Sequence, residues 1–499
     1  MPNDWRGARG DIVFYLMMCV NEQKFGCGVL CFRARLCVRS MMMVFPLIAA
    51  VALEDGHVSG MLTVNSSVGT LSTFHYFIKH PNPSAPMIVW MNGGPGASSL
   101  MGLYTELGPL LFNDRSRGNG TFMPSSNPYA WSRLGSLLVW EQPAGVGFSR
   151  CVSGCPKVWN DTTSAIANAA FLRTFYRAHP AEAKRRLIIS GESYGGIYVP
   201  LLASRVLRDP TLRSLGVHLG GIAVGDGCIG YAVSGGCGAD SMDVFVSVLE
   251  RVAPGVARAR LSAVRRDCSV AELTTGKQPE QLSQGCGAAM KALFEEVGEY
   301  NVYHWASPCG ARDALASGQG NWGDGSSFSC DGKVLAEWLA LPATQLALGA
   351  IQPGDAPKTW QMWDGDSDLY NITEADAQPA YREVLASGAK ILIYSGLSDT
   401  GVPDVGTQRY LPRIAGTAVS APRRKWGQPP HFAFAGHVTA YASGLTYVTV
   451  AGAGHLVPAD RPIAALAMME AWVAGTELPA YRGAKCSRLW LGRGWGKFC

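Results

Sequence analysis

Charged residues are scarce in this 499-residue sequence and no apolar run is long, and each of these shortages excludes a class of protein. Asp, Glu, Lys and Arg together make up 16% of the chain, and the formal net charge is +5. So dilute a charge, without a long basic run, argues against a surface that binds nucleic acid. No segment approaches the roughly 18 apolar residues of a membrane-spanning helix, so no stable membrane span is expected. With 47% hydrophobic residues, the composition instead predicts a globular protein.

The chain also has no C-x-x-C pair, which argues against a structural zinc site. The nearest pattern, Cys151-x-x-x-Cys155, has no convincing partner pair. Of the 14 cysteines, four lie before residue 40 and ten lie after residue 150. An even set is typical of disulfides in an oxidising compartment, so we predict disulfides and no metal site. The glycine-rich loop at 92–99 has neither a P-loop lysine nor a G-x-G-x-x-G spacing, and no cofactor is expected.

The N-terminal part carries the pattern of a secretory signal peptide at residues 41–53. Arginines precede a short apolar core that ends in small residues. A buried N-terminal strand is the alternative, and residues 1–40 fit an over-extended start. N-x-S/T sequons occur at Asn65, Asn119, Asn160 and Asn371. We therefore expect a glycoprotein of the secretory pathway, either secreted or delivered to a lysosome or vacuole.

Strand-like and helix-like segments alternate through most of the chain. Apolar runs such as residues 86–91 and 137–140 suit central strands buried on both faces, and residues 162–178 have helical spacing. This alternation predicts an α/β fold with a mostly parallel central sheet. A region rich in cysteine, glycine and short helical pieces interrupts it, which we interpret as an inserted cap. The predicted domains are an N-terminal extension with the signal peptide (1–53), a first core part (54–227), the cap (228–379) and a second core part (380–499).

The segment around Ser193 organises the chain. Residues 190–196 read Ser-Gly-Glu-Ser-Tyr-Gly-Gly and follow a strand-like run. They fit G-x-S-x-G, the nucleophile elbow, where a serine occupies a tight turn between a strand and a helix. Small neighbours let the backbone bend, and the N-terminus of the following helix favours negative charge nearby. Because such short patterns also arise by chance, an ordinary strand–turn–helix is the alternative.

Two further residues complete a candidate catalytic triad with Ser193. A serine nucleophile needs a base and an orienting carboxylate, which here should follow in the order Ser, Asp or Glu, His. His455 follows the predicted strand 445–450 and is the one histidine of nine with both a strand end and a glycine hinge before it. Asp399 follows another strand end, whereas the rival acid Asp404 lies farther from it. We therefore predict the triad Ser193, Asp399 and His455.

Five motifs make the chain similar to the serine carboxypeptidases. They are Asn-Gly-Gly-Pro-Gly at 92–96, Glu-Leu-Gly-Pro at 106–109, Asn-Pro-Tyr-Ala-Trp at 127–131, Gly-Glu-Ser-Tyr-Gly-Gly-Ile-Tyr-Val-Pro at 191–200 and Gly-Ala-Gly-His-Leu-Val-Pro at 452–458. The resemblance covers roughly residues 56–480 and is dense in the core but thin in the cap. It implies an α/β-hydrolase fold with an inserted, disulfide-containing cap. It also implies a serine-type carboxypeptidase whose substrates are peptide or protein C-termini.

The same resemblance implies roles for individual residues. Ser193 would attack the last peptide carbonyl while His455 moves the proton and Asp399 holds the imidazole. The backbone N–H groups of Gly94 and Tyr194 would form the oxyanion hole, which stabilises the developing negative charge.

Four other positions match those that bind the terminal carboxylate of the substrate: Asn92, Gly93, Glu106 and Glu192. Without the resemblance, Glu106 would be interpreted as a solvated helix charge and Glu192 as a buried turn carboxylate. Two glutamates that share a proton could donate a hydrogen bond to a carboxylate, so we expect activity to be favoured at acidic pH.

Two other functions use the same scaffold. An acyltransferase or esterase would pass the same acyl-enzyme to small esters, and it would have less need of Glu106 and Glu192. A non-catalytic binding protein would be expected to have lost a triad member, and none is lost. The sequence leaves the choice between monomer and homodimer open.

The sequence departs from the family at several positions. Ala97 stands where the family usually has a cysteine, and Trp363 takes the place of that cysteine's partner, so we expect these two residues to lie close together. Leu397 replaces a common acidic residue, and Asp226 replaces a common asparagine. The family also has a bridge comparable to Cys309–Cys330, which we predict here across a glycine-rich cap loop.

Overall fold

One mixed sheet carries the fold, and six parallel strands form its centre. The computed structural model describes residues 56–112, 116–118, 121–233, 235–237, 242–252, 258–274, 277–298, 300–305, 333–362, 369–483, 487–490 and 495–498. All of them belong to one compact unit. Within these ranges, the sheet strands are β1 (His57–Ser66), β2 (Gly69–Ile78), β3 (Met87–Met91), β4 (Ser136–Trp140), β5 (Arg150–Ser153), β6 (Arg186–Glu192), β7 (His218–Gly225), β8 (Lys390–Gly396), β9 (Val419–Gln428), β10 (Ala433–Tyr441) and β11 (Leu445–Val450).

The strand order is β1-β2-β4-β3-β6-β7-β8-β11-β10-β9, and β5 pairs with β2 outside this path. Neighbours from β4 to β11 run parallel. The two strands beyond each end of that block pair antiparallel. Every residue of β3 and β4 is buried, as expected for central strands covered on both faces. The predicted mostly parallel sheet is confirmed.

Helices cover both faces of the sheet and also fill the insertion after β7. They are α1 (Ser99–Gly102), α2 (Asp161–Ala178), α3 (Gly195–Arg208), α4 (Pro210–Ser214), α5 (Met242–Val252), α6 (Arg258–Asp267), α7 (Val270–Leu273), α8 (Gln284–Val297), α9 (Lys333–Ala340), α10 (Pro342–Ala347), α11 (Gln378–Ala386), α12 (Asp404–Ala415), α13 (Val457–Asp460) and α14 (Pro462–Ala474). A π-helical turn, Leu103–Leu107, follows α1 directly. Within the residue ranges given above, no helix has the length and apolarity needed to cross a membrane.

Smaller strand pairs lie outside the main sheet. Leu110–Leu111 pairs with Ser125–Ser126, Arg117–Gly118 with Thr121–Phe122, Trp159–Asn160 with Tyr370–Asn371, and Ser487–Trp490 with Trp495–Phe498.

Two apolar layers hold the sheet between its helices. On one face, α2, α3 and α11 contribute side chains such as Phe171, Phe175 and Tyr381 to a buried cluster. On the other face, α9 and α14 contribute Trp338, Met468 and their neighbours to a second cluster. A third, separate cluster lies within the insertion, where α5, α6 and α8 pack together. The insertion therefore has a small core of its own, as a cap does.

Disulfides are present in the described part of the chain, as the cysteine count predicts. Cys268–Cys286 joins the end of α6 to α8 within the cap, and Cys228–Cys237 closes the loop after β7. Cys151–Cys155 closes a short exposed turn. The predicted Cys309–Cys330 bridge, the partner Trp363 of Ala97, and the predicted signal peptide lie outside the described residues. The limits given above for the cap, 228–379, stay a prediction.

Candidate active site

Ser193 occupies a strained turn between β6 and α3. Its φ angle is 58°, in the left-handed region that few non-glycine residues adopt. Hydrogen bonds hold both of its backbone polar groups: Ser193 N donates to Gly225 O (3.1 Å), and Cys228 N donates to Ser193 O (2.8 Å). Gly191 makes the approach of β6 to β3 feasible, because a Cβ there would lie only 2.4 Å from Met91 O. The local geometry is that of a nucleophile elbow.

His455 and Asp399 are brought together at the same edge of the sheet. The two atoms His455 Nδ1 and Asp399 Oδ2 lie 2.8 Å apart, and both side chains are buried. Asp399 Oδ1 accepts the N–H of Gly401 at 2.8 Å, which fixes the carboxylate in its turn. Because an ionised carboxylate can only accept, Nδ1 is the donor, and Nε2 is left as the proton-accepting atom. The rival acid Asp404 instead forms an ion pair with Arg251 at 2.5 Å.

The glycine-rich loop after β3 lies directly against the elbow. A Cβ on Gly93 would lie 2.4 Å from Tyr194 N and 2.7 Å from Ser193 Cβ, so only glycine fits there. Within the part of the chain that the structure describes, neither Gly94 N nor Tyr194 N donates a hydrogen bond. Backbone donors that are free beside a nucleophile are what an oxyanion hole requires. Gly94 and Tyr194 therefore remain the candidates for that role.

Asn92, Glu106 and Glu192 form one buried polar cluster. Asn92 Oδ1 accepts the indole N–H of Trp90 (2.9 Å) and the N–H of Gly102 (3.0 Å), which orients the amide. Its Nδ2 therefore faces the carboxyl groups and donates to Glu192 Oε1 at 2.9 Å and to Glu106 Oε1 at 3.4 Å. The interpretation of Glu106 as a solvated helix charge is thus wrong, since it is 1% exposed within the π-helical turn.

The two glutamates are also within hydrogen-bonding reach of each other. Burial raises the pKa of Glu106 and of Glu192 above the ordinary range of a glutamate, and the charge of Glu106 raises that of Glu192 further. Neither Oε2 atom receives a hydrogen bond from a described residue. A proton shared by the pair would supply the missing bond and relieve the repulsion between two buried carboxylates.

A cap segment that sequence reasoning missed, residues 300–305, binds both loops of the Asp399–His455 pair. Tyr303 O accepts His455 N at 2.7 Å, and the Tyr303 and His455 rings lie 4.7 Å apart between centroids. On the other loop, Val302 O accepts Thr400 N, and Trp305 N donates to Ser398 O, both at 2.9 Å. The segment has no sequence motif of its own, and its position depends on the fold of the cap.

Asp161 was also missed, although it supports the elbow. Its Oδ1 accepts the hydroxyl groups of Tyr194 (2.7 Å) and Tyr370 (2.9 Å). Its Oδ2 accepts Thr373 N (2.6 Å) and Glu374 N (2.7 Å). The only signal in the sequence is an acidic residue at the start of a helix, which is common for electrostatic reasons alone.

The described residues include no group of three or more His, Cys, Asp or Glu side chains arranged to hold a metal ion.

The doubly covered parallel sheet, the strained serine after β6 and the His–Asp pair after β11 and β8 define an α/β hydrolase. Comparison with known protein families agrees with this assignment, because the serine carboxypeptidase family matches residues 47–475 of this chain. This chain therefore belongs to the serine carboxypeptidase family.

Relatives cover most of the chain. This chain is 29% identical over 461 residues to serine carboxypeptidase-like 33 of Arabidopsis thaliana. The aligned region covers 85% of this chain and 89% of that relative. Serine carboxypeptidase-like 26 of the same plant is 30% identical over 450 residues, covering 85% and 90%. Among solved structures, Kex1(delta)p, a prohormone-processing carboxypeptidase from Saccharomyces cerevisiae, superposes with a TM-score of 0.62 at 19% identity. That match covers 84% of this chain and 91% of the other. It supports the fold alone.

Proposed function

We propose that the protein is a serine-type carboxypeptidase that releases C-terminal residues from peptides and works best at acidic pH. The observation that carries this proposal is the buried cluster of Asn92, Glu106 and Glu192 beside Ser193. A cluster of this kind has no role in activating the serine. The cluster instead recognises a group on the substrate.

The chemistry is acyl transfer in two stages. Ser193 Oγ attacks the last peptide carbonyl, and His455 Nε2 takes the hydroxyl proton and then gives it to the departing amine as the C–N bond breaks. His455 Nε2 then takes a proton from the attacking water, the ester bond to Ser193 breaks, and His455 gives that proton to Oγ, which frees the acid product. Asp399 keeps the imidazole oriented through Nδ1, and the N–H groups of Gly94 and Tyr194 bind the oxyanion.

The glutamate pair recognises the terminal carboxylate of the substrate. That carboxylate is ionised above about pH 3.5, so two ionised glutamates would repel it. A pair that has kept one proton can instead donate a hydrogen bond to it, together with the amide of Asn92. Burial raises the pKa of Glu106 to about 7 and also raises that of Glu192, so the pair is protonated at acidic pH and begins to ionise as the pH approaches neutrality. The acidic preference follows from this ionisation.

The experiment follows the products of a blocked dipeptide by mass spectrometry at acidic pH, with Ser193→Ala as the control. Release of the free C-terminal amino acid by the wild type, and not by the variant, supports the proposal. The C-terminal amide of the same dipeptide should be a poorer substrate. Turnover of small esters with transfer of the acyl group to an added alcohol, and no release from the dipeptide, would instead identify an acyltransferase or esterase.

A further inference from the structure

Asp226 lies at the junction of the three candidate catalytic segments, in the turn that follows β7. Two residues close to it in the chain hold the backbone of Ser193: Gly225 O accepts the Ser193 N–H, and Cys228 N donates to Ser193 O. Asp226 itself holds β8, because its N–H donates to Tyr394 O and its Oδ1 accepts the N–H of Gly396, both at 2.8 Å. This turn therefore links the elbow to the strand that leads to Asp399.

The contact of Asp226 with Gly396 also reaches the histidine loop. Gly396 packs so tightly against that loop that a Cβ on it would lie 1.9 Å from Gly454 O. Gly454 precedes His455, and Gly396 lies three residues before Asp399. A shift of Gly396 would therefore move both members of the Asp399–His455 pair.

The surroundings of the Asp226 carboxyl group favour its neutral form. The side chain is completely buried, and Oδ2 has no hydrogen-bond partner among the described residues. Acidic groups face it from each neighbouring element: Glu192 at the end of β6, Asp399 after β8, and Asp404 at the start of α12. The phenols of Tyr394 and Tyr447 also lie near it. The nearby cation Arg251 of α5 is paired with Asp404.

We propose that Asp226 is a positioning residue for the candidate triad and that it acts as an uncharged carboxylic acid. The positioning part of this inference rests on the proposed function; the protonation state does not. As the acid, Asp226 accepts the Gly396 N–H without placing a second negative charge beside Asp399. Burial first, and then the charge of Asp399, raise the pKa of Asp226, in agreement with this state.

The neutral state makes folding depend on pH in a predictable direction. In the unfolded chain an aspartate loses its proton near pH 3.9, whereas folded Asp226 keeps it to higher pH. Its contribution to stability is therefore complete below about pH 3.9 and is lost as the pH rises towards the folded pKa. An asparagine removes this titration, accepts the same N–H, and tolerates the φ angle of 40° at this position.

The first test compares the thermal stability of wild type and Asp226→Asn between pH 4 and pH 7. We expect similar Tm values near pH 4 and a growing advantage for the variant at higher pH. Between the unfolded and the folded pKa of Asp226, wild type takes up one more proton on folding than the variant does. The ratio of their unfolding constants therefore changes by about tenfold per pH unit. A Tm difference that does not change with pH, or an advantage for the wild type that grows with pH, would overturn the neutral state.

The second test measures positioning with a small fluorophosphonate, which requires the triad but carries no carboxylate. Near pH 5, Asp226→Asn should label within about twofold of wild type, whereas Asp226→Gly, which relieves the backbone but lacks the acceptor, should label at least about tenfold more slowly. Equal labelling of Asp226→Gly and wild type would contradict positioning. If wild type itself does not label, the proposed function fails together with positioning, while the Tm comparison still decides the protonation state.

Discussion

The ring of Tyr303 lies against the imidazole of His455, with centroids 4.7 Å apart and planes inclined by 32°. Tyr303 belongs to the cap and His455 to a loop of the sheet, so this contact joins the two parts at the candidate site. Its main-chain counterpart is the hydrogen bond from His455 N to Tyr303 O. The cap therefore contacts both the side chain and the main chain of the candidate base.

The Tyr303 contact predicts a graded loss of activity. Tyr303→Phe keeps the ring and should stay within about twofold of wild-type kcat. Tyr303→Ala loses an aromatic contact of roughly 0.5–1.5 kcal/mol and should lower kcat up to about tenfold. The measurement is kcat for an ester substrate, with circular dichroism to verify folding. Equal kcat for the Ala variant and wild type would show that the ring does not position His455.

Ser193→Ala should abolish hydrolysis and fluorophosphonate labelling while leaving the fold intact. The left-handed φ of Ser193 is fixed by hydrogen bonds to Gly225 and Cys228 that do not involve its side chain. Alanine adopts this left-handed φ at an energetic cost similar to that of serine, so we expect Tm to change by no more than a few degrees. Labelling of the variant at the wild-type rate would place the nucleophile elsewhere.

Asp161→Ala should destabilise the protein and loosen the elbow. It leaves the N–H groups of Thr373 and Glu374 and two tyrosine hydroxyls without their acceptor. At about 1–3 kcal/mol for each buried group left unsatisfied, we expect a loss of at least about 2 kcal/mol in a denaturant titration. Asp161→Asn should lose less, because its amide oxygen can still accept the two backbone N–H groups.

The control for Asp161 is Glu383→Gln. Glu383 pairs with Arg208, whose side chain is 73% exposed, so we expect a change below about 1 kcal/mol. Equal losses for Asp161→Ala and Glu383→Gln would mean that the Asp161 network does not hold the elbow.

Residues whose role follows from nearby sequence could be predicted, and residues placed by distant segments could not. Ser193 and His455 each carry the glycines and the preceding strand that define their turns, so the strands, the elbow and the choice of Asp399 over Asp404 were within reach. Tyr303 contacts His455 across about 150 positions of the chain, through a cap in which the family resemblance is thin. No local pattern marks such a contact.

The burial of charged groups was the other property hidden from the sequence. Glu106 lies in the π-helical turn and would be expected at the surface from its position alone. It is buried because Asn92 and Glu192 surround it, and those two residues come from the ends of β3 and β6. Long-range packing of this kind also brings Asp226 close to Asp399.

If Glu106 and Glu192 bind the substrate carboxylate through a shared proton, KM should depend on pH in a defined direction. Wild-type KM for a blocked dipeptide should rise as the pH increases from acidic towards neutral values, because the pair loses its proton and repels the substrate. Glu106→Gln combined with Glu192→Gln keeps donors that cannot ionise, so the rise should flatten.

The most direct test is therefore KM against pH for one blocked dipeptide and its C-terminal amide, in wild type and in the double variant. We predict that the rise of KM with pH is steep only for wild type acting on the free acid. The amide should show a shallower dependence in both proteins, because it carries no charge for the glutamates to repel. Parallel KM curves for the acid and the amide in wild type would contradict the account, since the glutamates would then not bind the carboxylate.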